Sequence, residues 1–142
     1  MRAGTENVAG IVGMAAALQE HIDRLKEETD YLGELARRLV AKLKVAGLDF
    51  RCNGSDDRIP GSLSLSFNNA DGEMLLHRLD LLGTAVATGS ACDSKEAMVS
   101  HVIKSISVPM NYAHGTIRIT FGMDNTIDQV DRIAMQIATV LK

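Results

Sequence analysis

Cysteine is scarce in this chain of 142 residues: Cys52 and Cys92 stand far apart, with no CxxC and no Cys/His pair at zinc-finger spacing. That scarcity argues against a disulfide framework or a structural metal site and for two free thiols. An excess of positive charge is missing as well. Fifteen Lys plus Arg face eighteen Asp plus Glu, for a net charge of −3 without a basic cluster, so no phosphate backbone is expected as a partner. No apolar run approaches the ~18 to 20 residues that span a bilayer. The N-terminus also lacks the basic, apolar and small-residue succession of a signal peptide. The expectation is a cytoplasmic chain that meets neither nucleic acid nor membrane. Internal repeats and low-complexity segments are absent too. With 46% hydrophobic and 23% charged residues, the composition is that of one folded domain with a real core.

Proline is absent from Glu6 to about Val45, and there Val8, Ile11, Val12, Ala15, Leu18, Ile22 and Leu25 recur at steps of three and four. The spacing is helical. It resumes with Leu32, Leu35, Leu39 and Leu43 and stops at Gly47, so one long helix, or two with a bend near Thr29, is expected. "LDFRCN" reads as a short strand. Leu63, Leu65 and Phe67 alternate with Ser62, Ser64 and Ser66, the pattern of a strand with one buried face. Asp71 suits the N-cap of a helix that Gly83 ends. "TAVAT" is expected as a short buried strand, and "SHVIKSI" as a short helix capped by Ser100 and closed off by Pro109. Ile117, Ile119 and Phe121 alternate with Thr116, Arg118 and Thr120, so Arg118 and the isoleucines must point opposite ways. A last helix starts at Thr126, with Gln129 in the capping-box position. The order α, β, β, α, β, short α, β, α predicts an α+β two-layer domain: a small mixed or antiparallel sheet, helices on one face, and a long N-terminal helix.

Two residues invite chemistry. Cys92 lies in "ATGSACDS", among small and polar residues, where a thiol is either a reactive nucleophile or simply a small side chain at a strand end; Lys95, His101 and the helix after Ser100 are the groups that could lower its pKa. Cys52, beside Phe50, reads as a small hydrophobe. Arg118 offers a planar fork of donors to a substrate anion or to a structural salt bridge. His21 and His77 read as surface residues, whereas His114 lies near the strand of Arg118.

Three stretches in this order alter those readings together: "RAGTENVAGIVGMAAAL" from Arg2, "ATGSACDSKEAMVSHVIKSI" from Ala87 and "HGTIRITFG" from His114. They resemble the C-terminal part of pyridoxal-phosphate-dependent cysteine desulfurases of the aminotransferase class V family, and "GSAC" with the long segment after it is similar to the group I, NifS-type branch. The resemblance implies the small domain of a fold-type I enzyme that converts L-cysteine to L-alanine. Cys92 would take the sulfur as a persulfide and pass it to a sulfur acceptor or iron-sulfur scaffold protein. It also implies that Arg118 binds the substrate carboxylate, and that Thr5 reaches the phosphate of pyridoxal 5'-phosphate in the neighbouring subunit of a homodimer. Pro60 is followed by Gly61 where the family often has Pro-Asn, and Met123 stands where a basic residue is usual. In the family the Schiff-base lysine lies upstream of the "RAGT" motif, and Lys95 and Lys104 match no such position. Residues 1–142 are therefore expected to be a C-terminal domain of a larger enzyme, inactive alone and prone to self-association. The alternative is a stand-alone persulfide-relay or scaffold-binding module.

Overall fold

A computed structural model describes residues 3–89 and 99–142. One unbroken helix, α1 (Val8–Val45), opens the chain, so Thr29 marks no bend. Asn7 caps it by accepting from Gly10 N. It ends where Gly47, at φ 72°, takes up the left-handed conformation and Leu48 N returns to Leu43 O at 3.3 Å, a turn that spares the last carbonyls from going unpaired.

Then come β1 (Phe50–Cys52), β2 (Ser62–Phe67), α2 (Gly72–Leu81), β3 (Ala87–Thr88), α3 (His101–Ser105), α4 (Met110–Ala113), β4 (Thr116–Thr120) and α5 (Ile127–Leu141). The expected order holds with one addition. Pro109, read as a stop, also caps the one-turn helix α4, because a proline that cannot continue one helix is well placed to start the next. "TAVAT" forms only the two-residue strand β3.

The four strands make one sheet in the order β1-β2-β4-β3, antiparallel throughout. Leu63 faces Ile119 and Leu65 faces Ile117; with Phe67 and Phe121 they form one side of the core. The helices supply the other: Leu35, Leu39 and Leu43 of α1, Leu75 and Leu79 of α2, and Val130, Ala134 and Ile137 of α5. The caps read from local sequence are present. Asp71 accepts from Glu73 N and Met74 N, and Thr126 and Gln129 form a reciprocal capping box. A second, small cluster of Ile103, Val108 and Ala113 belongs to α3 and α4, and Thr116 Oγ1 ties it to the sheet by donating to Ala113 O at 2.8 Å.

Two devices lock the layers. Asp131 of α5 receives Arg38 Nε and Nη2, both at 2.7 Å, and Lys42 Nζ at 3.1 Å. A bidentate fork of this kind fixes the α1–α5 register as well as attracting charge. The other device is close approach. A Cβ at Gly72 would stand 2.8 Å from Thr116 O, and one at Gly115 would fall onto Phe67 O. Only a hydrogen fits there.

From Ala3 to Glu27, by contrast, every residue is exposed. The apolar stripe of α1 is bare: Val8, Ile11, Leu18, Ile22 and Leu25 are 53% to 64% accessible. Helical spacing identifies an apolar face, but what covers it is a tertiary matter.

Two outcomes follow from this packing. The Arg38 guanidinium, donating to Asp131 and helped by Lys42, holds that carboxyl at about 2 against an ordinary 3.8. A depressed carboxylate pKa stabilises the fold above the unfolded value and stops doing so as pH falls through the folded one. In thermal melts the Tm gap between wild type and Asp131→Asn should be widest above about pH 4 and close toward pH 2; a pH-independent gap would refute the assignment. Gly115→Ala should cost about 1–3 kcal/mol in chemical denaturation, the usual penalty of overpacking against backbone.

Candidate functional site

The alternation of β4 places Ile117 and Ile119 in the core and leaves Arg118 exposed on the opposite face. Ser64 of β2 lies directly across from it on one side and Ala87 of β3 on the other. Arg118 thus sits centrally in the sheet, between two small residues that leave its guanidinium unobstructed. The structural salt bridge weighed for it is not found: among the described residues no carboxylate lies within 4.0 Å of Arg118, and no side chain bonds it.

The face around Arg118 is built of hydroxyls. Asn53 Nδ2 donates to Ser64 Oγ at 3.0 Å and to Ser66 Oγ at 2.7 Å. Ser66 and Thr116 share a hydroxyl–hydroxyl bond of 2.6 Å. Ser66 and Thr116 are buried there, so the chain of bonds satisfies polar groups that would otherwise be costly beneath the surface. Local sequence marks these serines only as the polar side of a strand. That they flank Arg118 depends on a pairing between residues more than fifty positions apart.

Cys92 lies outside the described residues, as does Lys95, but the two ends of its segment are described. Ala87, the cross-strand neighbour of Arg118, begins the stretch toward it, and five residues of chain span at most about 17 Å. The ends also meet: a Cβ on Gly89 would stand 2.9 Å from Ser100 Cβ. Ser100 caps α3, accepting from Val102 N. A cavity of about 60 Å³ at this stem is lined in part by Thr88, Gly89, Ser100 and His114. It has room for a water or two rather than a substrate. His114 is brought to the stem, whereas His101 stays exposed at the start of α3.

Thr5 is not brought near Arg118 by any contact among the described residues. It precedes the bare part of α1, which runs ~35 Å from Val8 to Tyr31 at 1.5 Å per residue. There Thr5 is exposed and its hydroxyl takes part in no described hydrogen bond. Cys52 is exposed as a residue and lies at the end of edge strand β1, which corrects its reading as a packed hydrophobe. Partial burial nevertheless pushes its thiol up, against the Arg58 and Lys44 charges that pull it down. It is therefore the poorer candidate for a nucleophile. Among the described residues no group of three or more His, Cys, Asp and Glu is arranged to hold a metal ion, and no helix is long and apolar enough to cross a membrane.

Known proteins share this fold. The chain matches the aminotransferase class-V family over residues 1–133. It is 39% identical over 147 aligned residues to the cysteine desulfurase IscS of Dictyoglomus turgidum, an alignment covering 98% of this chain and 37% of that protein. With the cysteine desulfurase NifS of Azotobacter vinelandii it shares 31% identity over 141 residues, 99% of this chain and 35% of the other. A solved structure of a NifS-like protein superposes with a TM-score of 0.81 at 31% identity, again over 99% of this chain and 35% of that one. The chain spans little more than a third of the length of these relatives.

If Arg118 is free for a ligand rather than holding the fold, removing it should cost the fold almost nothing. Arg118→Ala is expected to change unfolding free energy by no more than about 0.5 kcal/mol, the range of an exposed residue without a structural partner. A loss of several times that in urea titration would restore the salt-bridge reading.

Proposed function

The chain belongs to the aminotransferase class-V family, and from that premise we propose that it is the C-terminal small domain of a pyridoxal-phosphate-dependent cysteine desulfurase. In this reading the enzyme converts L-cysteine to L-alanine and leaves the sulfur as a persulfide on Cys92. The observation that carries the proposal is the position of Arg118, exposed at the middle of the sheet and across from Ala87, the strand that leads to Cys92.

Each residue then has a task its chemistry suits. Arg118 grips the substrate carboxylate with parallel N–H donors, fixing the amino acid so that its sulfur faces the incoming thiolate. Cys92 Sγ bonds to that sulfur as the substrate carbon–sulfur bond breaks. The bonding pair stays on carbon, a proton replaces sulfur there, and alanine results. Pyridoxal phosphate, when bound, supplies the electron sink that makes this carbon able to hold the pair. The exposed, uncommitted hydroxyl of Thr5 suits a phosphate oxygen from outside this chain. It stands at the far end of α1, as a contribution to a neighbouring subunit requires.

The bare stripe of α1 supports the rest of the reading. Val8, Ile11, Val12, Leu18, Ile22 and Leu25 of this stripe are all more than half exposed, a surface of the kind that proteins cover. We assign its cover to the larger domain of the same enzyme and to the second subunit of a homodimer. On this view residues 1–142 are inactive alone, work in the cytoplasm, and deliver sulfur to an acceptor or iron-sulfur scaffold protein.

The test uses the cofactor-loaded enzyme that contains this chain. Cys92→Ser should abolish both alanine release and the persulfide, detected by mass spectrometry as one added sulfur on the Cys92 peptide, while cofactor absorbance stays intact. Arg118→Lys should raise KM for L-cysteine by about ten- to a hundredfold, since a single ammonium replaces a bidentate fork. Cys52→Ser should behave as wild type. Activity surviving in Cys92→Ser and lost in Cys52→Ser would overturn the assignment.

A further inference from the structure

A second concave site lies away from Arg118. The C-terminal half of α1 and the 53–61 loop enclose a groove of about 800 Å³, within the size range of ligand sites. Its walls carry Arg37, Lys44 and Arg58. Four cations crowd the end of α1, and their fates differ. Arg38 and Lys42 are neutralised by Asp131, whereas Arg37 and Lys44 line the groove with no carboxylate within 4.0 Å among the described residues. Of the groove's acids, Asp30 is paired with Lys26 outside it at 2.9 Å, and Asp56 is paired with Arg58 of its own wall at 3.3 Å, which leaves Arg37 and Lys44 as the cations without a partner among the described residues.

The arrangement narrows the ligand. Arg37 and Lys44 are seven residues apart, ~10.5 Å along the helix. Arg37 also folds back toward the start of the helix, its Nη1 lying 3.1 Å from where a Gly33 Cβ would be. Cations spaced two turns apart along a helix fit separate carboxylates along a chain better than one phosphate. Between them the groove is apolar, with Val40 and Leu63 in it and Ile59, 79% exposed, on its rim. No aromatic side chain lines it, so nothing offers a base a stacking platform.

We propose that this groove is a docking site for an acidic peptide segment of a partner protein, with carboxylates held by Arg37 and Lys44 and an apolar side chain set against Ile59. Arg118 is not among the residues that line it, and binding to it requires neither cofactor nor turnover.

The probe is a fluorescein-labelled peptide of alternating glutamate and leucine, titrated against the full chain by fluorescence anisotropy. Saturable binding is expected, weakened several-fold when salt rises from about 50 to about 200 mM, because exposed charges are screened. Arg37→Glu/Lys44→Glu should weaken it by about tenfold or more with an unchanged circular dichroism spectrum, and Arg78→Glu, outside the groove, should leave it as in wild type. Bound peptide should also slow alkylation of Cys52, which lines the groove. Equal loss in Arg78→Glu, or no protection of Cys52, would overturn the proposal. Protection of Cys52 by tripolyphosphate as strong as that by the peptide would overturn it in favour of a free polyanion.

Discussion

The register between β2 and β4 is the constraint on which the rest of this structure depends. Leu65 opposite Ile117 and Ser64 opposite Arg118 are one fact seen from two faces. Slipping the pair by a single residue would turn Arg118 into the leucine core and the isoleucines out to water. A buried unpaired guanidinium is costly enough that such a slip is excluded. Fold and site are therefore specified together: burying the apolar face is what presents the arginine, and the small neighbours Ser64 and Ala87 are what leave it reachable.

Helix α1 plays two parts. Its C-terminal turns clamp the sheet through Leu35, Leu39 and Leu43 and are locked to α5 by the Arg38–Asp131–Lys42 cluster. Its first twenty residues leave the body with an apolar stripe facing water. The same three-and-four spacing runs through both halves, so sequence periodicity treats them alike. The charges divide in a similar way. Arg37 and Arg38 are adjacent in the chain, yet one braces two helices and the other faces a groove, because successive helix positions are turned by about 100° from each other.

Legibility from sequence followed the range of the interaction involved. Asp71, Ser100 and the Thr126/Gln129 pair act within three residues, and each cap is where local chemistry puts it. The alternation of "SLSLSF" and "TIRIT" likewise fixed which side chains share a face. What failed were readings that needed a distant partner. Pro109 was visible as a break, but not as the start of α4. The glycine of "HGTIRI" is part of a recognisable motif, and only the fold supplies its reason, the carbonyl of Phe67 packed where a side chain would go.

The candidate site divides along the same line. Residue type brought Cys92 and Arg118 forward as a thiol and a planar fork of donors with their roles open, and only the resemblance to a known family favoured a functional role for them and added Thr5. Whether Arg118 was bound to a carboxylate or free was undecidable from the sequence, because that depends on which strands lie beside β4. Tertiary structure decided it by placing β2 and β3 there, with a serine and an alanine across from the arginine. It likewise separated Arg37 from Arg38, and turned Cys52 from a presumed core residue into the lining of a groove. Sequence determines what each residue can do; contacts between distant segments, chosen by the burial of the shared apolar face, decide which of those capacities remain available.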